Sequence, residues 1–238
     1  MDRKMIKENA KAAFRMRYWP IVGIELLAGV LVGGSGSFSF NFSSNNTNWN
    51  QFFNDASLAE YAKAINDTTM IIGALLSVIG LVYVFLFGNV IQVGISGIRL
   101  SSYRQQGFRF QDLFKGLKQY KRMVGTMALM TLNIMIGFFV FIIPGIIAAY
   151  GLFEVPYLLA EDPNLSGMEA IRRSWADMKG NKGKLFGLHM SFFGWFMLTI
   201  LTCGVLAVFY VGPYIALSEA GFYHELQQQR AAEQTSIN

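Results

Sequence analysis

Four stretches of the chain run almost without charge, and their lengths set the architecture. Tyr18 to Gly34 contains only Glu25, while Thr68 to Ile98, Met123 to Phe153 and Leu185 to Ser218 contain no Asp, Glu, Lys or Arg. A hydrocarbon core of about 30 Å takes roughly 20 helical residues at about 1.5 Å each. The first stretch therefore makes one short span and the second one long, tilted span. The third and fourth are long for one helix and tight for two. Between them lie segments of a different period. From Phe110, the apolar residues Phe110, Leu113, Phe114 and Leu117 fall at i, i+3, i+4 and i+7, with Lys115, Lys118 and Arg122 pointing elsewhere. From Ser166, a capping box pairs Ser166 with Glu169, and Met168, Ile171, Trp175 and Met178 form one stripe before Gly180 stops the helix. These are the marks of amphipathic helices lying in a membrane interface.

The distribution of Lys and Arg orients the spans, because cytoplasmic loops carry the positive excess. Residues 1–17, 99–122 and 161–184 hold eighteen of the twenty basic residues, whereas 35–69 has Lys63 alone against Asp55, Glu60 and Asp67. The segment 35–69 belongs outside and the three basic segments inside. The stretch from Met123 to Ala160 must then cross an even number of times, with Pro144-Gly145 near its middle, where a helical hairpin would turn. The fourth stretch satisfies the charges as one span or two; Cys203-Gly204 inside it and its likeness to the third favour two. The expected architecture is all-α, a polytopic transmembrane helical bundle of six spans arranged as three helical hairpins. The spans cover about 18–34, 70–97, 123–142, 144–160, 185–202 and 204–219, with interfacial helices over 4–17, 108–121 and 166–179. Residues 1–223 form one membrane domain, 224–238 a flexible cytoplasmic tail, and both termini are cytoplasmic. The N-terminus also resembles a secretory signal, but Glu25 interrupts its apolar stretch, and a retained first helix is the better reading.

Composition agrees. Charged residues make up 15% and hydrophobic ones 53% of 238 residues, a surplus of apolar side chains that no soluble core of this size holds. One cysteine excludes an intramolecular disulfide, and with two histidines it cannot complete a four-ligand zinc site, so neither a metal nor a cofactor is expected. The formal charge of +5 lies beside the spans, which fits anionic headgroups rather than nucleic acid. The outer loop is rich in Ser and Asn, carries the aromatics Phe38, Phe40, Phe42, Trp49, Phe52 and Phe53, and contains Asn-X-Ser/Thr triplets at Asn41, Asn45 and Asn66 that such a composition produces by chance.

A weak internal repeat runs through the chain: a basic approach, a span, a turn, and a second span broken by Gly or Pro. The breaks fall at Gly88-Asn89, Glu154 to Tyr157 and Gly212 to Tyr214. Interrupted helices at corresponding positions point to a site inside a membrane bundle. Polar residues within hydrocarbon are costly and face cavities or partners. The candidates are Glu25, Asn89, Gln92, Asn133, Glu154 and His189. Interhelical hydrogen bonding is the plain alternative for all six. Gly94-Ile95-Ser96-Gly97 matches the G-x-S-G of intramembrane serine proteases, with His189 at similar depth, but such a pattern is common in membrane helices. Headgroup candidates are Lys115, Lys118, Lys121, Arg122, Arg172, Arg173 and Lys182.

The run Pro156 to Pro163, with Ser166, Glu169 to Ile171, Ser174, Met178 to Lys182, Lys184 to Phe186, Ser191 to Trp195, Gly204, Pro213-Tyr214 and Phe222-Tyr223, is specific. It resembles the bacterial integral membrane family known as domain of unknown function 975, over roughly residues 123–223. The resemblance implies a multi-span protein of the bacterial cytoplasmic membrane and supplies no catalytic residues. Its motif residues here are Pro156, Asp162, Pro163, Ser174, Met178, Gly180, Lys184, Ser191, Trp195, Pro213, Tyr214 and Tyr223. Glu161 before Asp162 and the Asn-rich outer loop depart from the pattern. The function expected is non-enzymatic: an envelope-associated accessory or immunity-like protein that engages lipid or a membrane-protein partner. A small transporter using the intramembrane carboxylates is the alternative, and an intramembrane serine protease a remote one.

Overall fold

A computed structural model describes residues 2–31, 72, 75, 79–80, 83, 87–162, 164–202 and 204–237. The expected outer loop, most of the second span and Pro163 lie outside these residues. Every regular element among the described residues is a helix. In chain order they are α1 (Arg3–Met16), α2 (Tyr18–Leu31), α3 (Asn89–Tyr103), a 3₁₀ helix (Phe110–Gln119), α4 (Tyr120–Val140), α5 (Ile142–Gly151), α6 (Val155–Glu161), α7 (Gly167–Asp177), α8 (Lys182–Met190), α9 (Phe193–Leu201), a π turn (Ala207–Val211) and α10 (Gly212–Ile237).

Among the described residues, three helical stretches are long and apolar enough to cross a membrane: Tyr120–Phe139, Ile142–Glu161 and Lys182–Leu201. Tyr18–Gly29 is apolar but shorter. The long stretches turn much of their apolar surface outward. Phe139 is 94% and Leu201 81% exposed, and Phe141, Ile143 and Ile200 are more than half exposed. A soluble protein rarely leaves so large an apolar surface uncovered.

The interior is built around α3 and α10. In α3, Val90, Val93, Gly94, Ile95, Ser96 and Ile98 are all buried, because α1, α2, the 3₁₀ helix, α6 and α10 pack around it. Glycine makes the closest of these approaches possible. A Cβ on Gly94 would stand 2.1 Å from the Leu113 carbonyl oxygen, and one on Gly116 2.9 Å from Val90, so the 3₁₀ helix lies directly on the α3 backbone. α1 begins at Asp2, whose side chain accepts the Lys4 amide at 2.9 Å. It buries Ile6, Ala10, Ala13 and Phe14, one helical face, and packs on α10 and α3.

Two boundaries differ from the sequence reading. The α4–α5 turn falls at Phe141, whose extended backbone (φ −162°, ψ 157°) breaks the helix, and not at Pro144-Gly145. Pro144 sits in the first turn of α5, where its missing N–H costs nothing. Gly145 faces Gly137 instead, a Cβ on Gly137 meeting the Gly145 Cα at 2.9 Å, the close backbone approach that small residues permit between membrane helices. Residues 224–237, expected as a flexible tail, continue α10 without interruption. Leu226 is buried and Arg230 pairs with Asp177, so the helix is held by packing and charge, neither of which its polar composition discloses.

Of the breaks expected in the second spans, one interrupts the helix: residues 152–154 separate α5 from α6, just before Pro156. Before Pro213 the helical path continues through the π turn 207–211 into α10, and Gly88 ahead of α3 is helical too, most residues before it lying outside the described ones.

Candidate functional site

The break between α5 and α6 exposes backbone groups that a continuous helix would pair internally. Ser174 of α7 closes it. Its hydroxyl donates to the Gly151 carbonyl at 2.9 Å and accepts from the Glu154 amide at 3.3 Å, bridging the two sides. Ser174 is fully buried, and α7 is placed by the Ser166 cap, whose hydroxyl accepts the Glu169 amide at 3.2 Å, and by Gly180, which ends the helix at φ +83°. Glu154 lies in the break with no exposure, its carboxylate against that of Asp177. Asp177 binds Arg230 of α10, and Arg173 stands 3.8 Å away. Burial holds the Asp177 carboxyl above the usual carboxylate range, against the pull of the two arginines. Two carboxylates and two guanidiniums thus join α6, α7 and α10.

A second cluster pins α2. Arg99 donates from Nε and Nη2 to the two Glu25 oxygens, both at 2.7 Å, a two-point pair with each side chain 15% exposed. Tyr157 and Glu219 lie within electrostatic reach of Arg99. From Glu219 the polar path continues to His189 Nε2 at 3.1 Å, and from His189 Nδ1 to the Tyr150 hydroxyl at 3.0 Å. Six helical elements, α2, α3, α5, α6, α8 and α10, therefore contribute to this group of polar side chains.

A third cluster ties α3, α6 and α10 together. Glu161 accepts the Tyr223 hydroxyl at 2.5 Å and pairs with Arg104 at 2.6 Å, and Arg104 Nε donates to His224 Nδ1 at 3.1 Å. Tyr157 and Tyr223 stack with centroids 5.1 Å apart. Burial and then Arg104 push the His224 imidazolium below its ordinary range, with Glu161 opposing.

Of the intramembrane candidates, the structure gives Glu25, Glu154 and His189 charged or polar partners on other helices. Asn133 is exposed and bonds only the Leu129 carbonyl of its own helix, at 2.8 Å. Asn89 and Gln92 are half-buried on α3, each with a polar or ring contact. Ser96 and His189 do not form a dyad: the Ser96 hydroxyl donates to the Gln92 carbonyl at 3.0 Å, and both His189 ring nitrogens are occupied. Ser96 is also buried.

The motif residues serve packing and caps. Asp162 caps α6 and accepts the Asn164 amide at 2.8 Å, Met178 is fully buried, and Lys184 donates to Asn181 at 2.7 Å. Ser191 bonds the Leu188 carbonyl, Trp195 packs on Tyr210, and Tyr214 meets Phe192 edge-on. Pro156 and Pro213 are buried. Among the headgroup candidates, Lys121, Arg172 and Arg173 are exposed, and Arg122 and Lys182 half-buried, Lys182 lying 3.8 Å over the Trp175 ring. The side chains of Lys115 and Lys118 lie outside the described residues. Sequence reasoning missed Arg99, Arg104, Tyr150, Glu161, Asp177, Glu219 and Arg230. Arg99 and Arg104 stand at a span end, where the sequence reading uses them for orientation alone, and Glu161 enters it only as a departure from the family pattern. Arg230 sits in the segment assigned to a tail.

No curated protein and no solved structure matches the chain. A family model does, over residues 75–230, and its description is "Protein of unknown function (DUF975)". The match covers more than half of the 238 residues, and the chain belongs to this family.

Proposed function

We propose that this DUF975 protein is a non-enzymatic, six-span protein of the cytoplasmic membrane, in three helical hairpins with both termini inside, whose basic amphipathic segments engage anionic lipid headgroups. One observation carries the reading. Of the four apolar residues on the face of the 3₁₀ helix, only Leu113 is buried against the protein, while Phe110, Phe114 and Leu117 are 55%, 46% and 40% exposed. A face that spends one residue on its own protein and leaves three uncovered beside exposed Lys121 fits a segment held at a bilayer surface. α7 repeats the arrangement, with Met178 buried and Met168 and Trp175 about half exposed next to Arg172. Changing Lys115, Lys118, Lys121 and Arg122 to Gln together is expected to abolish enrichment of phosphatidylglycerol around protein reconstituted in mixed bilayers. Unchanged enrichment would reject the reading.

Transport is the second reading, and the buried Glu154 at the α5–α6 break favours it, since no hydrogen-bond donor among the described residues reaches its carboxylate oxygens. That reading requires Glu154→Gln to stop uptake or efflux of whatever solute the wild type moves across proteoliposomes.

A further inference from the structure

The start of α1, the start of α8 and the middle of α10 enclose a cavity of about 310 Å³ lined by Arg3, Ile6, Gly183, Lys184 and Phe222. Its charged wall is one-sided. Arg3 donates from Nη1 to the Gly187 carbonyl at 3.2 Å, and Lys184 reaches only the neutral Asn181 side chain. Lys7, one turn along α1, donates to the Ser191 carbonyl at 3.1 Å and lies 4.0 Å over the Phe192 ring. None of the three cations has an ion-pair partner among the described residues. Arg3 and Lys7 stand close enough to oppose each other, so that burial and the Arg3 charge together lower the Lys7 ammonium from its ordinary range. Gly183, the second residue of α8, adds the positive end of a helix whose N-cap, Asn181, gives no side-chain cap. A Cβ at Gly183 would meet nothing within 4 Å, so the helix start borders open space. Ile6 and Phe222 lie beneath the lining, fully buried, so the accessible wall is chiefly that of Arg3, Gly183 and Lys184.

Two cations lining a space of this size, with no carboxylate among its lining residues, fit an anion. The lipid-engaging reading above makes an anionic phospholipid the first source of that anion to test, with inorganic phosphate as the competing one. We propose that this cavity binds a phosphate ester, as the headgroup of an anionic phospholipid, between Arg3, Lys184 and the N-terminus of α8. The inference rests on the lipid-engaging reading above and names a discrete site within it.

The test uses the full chain in phosphatidylcholine bilayers with and without phosphatidylglycerol, extracted gently and weighed by native mass spectrometry. Wild type is expected to keep one phosphatidylglycerol through extraction, and Arg3→Gln/Lys184→Gln to hold it roughly tenfold less well. Arg3 also bonds Gly187, so that variant can disturb the docking of α1. Gly183→Glu avoids the difficulty: an acidic residue suits the first turn of a helix, and it would supply the carboxylate the cavity lacks. It is expected to expel the lipid, whereas Gly183→Gln, of the same size, retains a larger share. Equal retention by wild type, Gly183→Glu and the double variant overturns the proposal. Binding of inorganic phosphate with the same variant dependence, and no retained lipid, overturns the lipid assignment. The two readings fail separately. The quadruple Gln variant of the 3₁₀ helix and α4 reports on bulk lipid enrichment, and the cavity variants report on the single tightly held molecule.

Discussion

At the scale of single residues, the interior charges are interlocked, and their neighbours decide what each substitution does. Asp177 serves two arginines from a site where its side chain is 1% exposed, whereas Glu154 adds a second carboxylate beside it. Removing Asp177 leaves Arg230 and Arg173 facing Glu154 alone, and breaking a buried pair costs about 3–5 kcal/mol, less here because both arginines are partly exposed. Asp177→Asn should therefore destabilise by roughly 2 kcal/mol. Glu154→Gln replaces one of two adjacent carboxylates by an amide that can donate to Asp177, and should be neutral or stabilising. Thermal unfolding in detergent checks both, and a large loss in Glu154→Gln would show that Glu154 is the primary partner of the arginines. His224 gives a pH dependence. Its Nδ1 accepts from Arg104, which requires that nitrogen to be unprotonated, and its folded value lies below the ordinary 6.5. The unfolded chain therefore binds the proton more readily, so this contribution is present above pH 6.5 and is lost as pH falls through the lower folded value. Unfolding temperatures should fall on acidification from pH 6.5 down to that lower value, and His224→Gln should flatten the fall. An unchanged slope in the variant would reject the role.

At the scale of elements, periodicity and caps were legible, and pairings were not. The Ser166 cap, the Gly180 stop and the break before Pro156 follow from local rules, and each stands where the sequence placed it, whereas the helix runs on through a π turn before Pro213. Charge-free runs located the three long apolar stretches because bilayer thickness fixes a length. Arg99 and Glu161 defeated the same reasoning. A charge at a span end has the same sequence signature whether it faces water or reaches inward, and only the neighbouring helix distinguishes them. The Gly94-Ile95-Ser96-Gly97 segment makes the point quantitatively. A catalytic motif would depend on Ser96, but Gly94 is the position with no room, its added Cβ falling 2.1 Å from a backbone oxygen that cannot move aside as a side chain would. Gly94→Ala should drive the 3₁₀ helix off α3 at a cost of about 1–3 kcal/mol, while Ser96→Ala, which forfeits one intrahelical bond, should cost under about 1 kcal/mol. Comparing the unfolding temperatures of the two variants decides the matter: a Ser96→Ala loss equal to that of Gly94→Ala would remove packing as the explanation for the motif.

At the scale of the whole molecule, the threading turns on the stretch from Lys182 to Ser218. α8 and α9 form one apolar stretch of 20 residues, Lys182–Leu201, enough for a crossing by themselves. Gly204 then has φ +84°, a left-handed conformation that ends a helix and starts a turn, and its amide bonds the Thr199 carbonyl at 2.8 Å. Beyond it the chain re-enters a helical path through the π turn into α10, whose first residues, Pro213 to Ser218, are largely buried. In the proposed six-span threading, Lys182–Leu201 crosses the bilayer, and the turn at Gly204 then lies on the outer side. Cys203, the chain's one cysteine, is the natural reporter. The threading predicts that a membrane-impermeant maleimide labels Cys203 in intact cells, and that a cysteine placed at Lys179 in a Cys203→Ser background is labelled only after the membrane is opened. A five-span chain would carry residues 185–218 as one helix and leave Cys203 at mid-depth, shielded from the reagent before and after permeabilisation. Labelling at Lys179→Cys from outside would invert the whole arrangement and move the basic segments, with the headgroup-binding surfaces proposed on them, to the opposite leaflet.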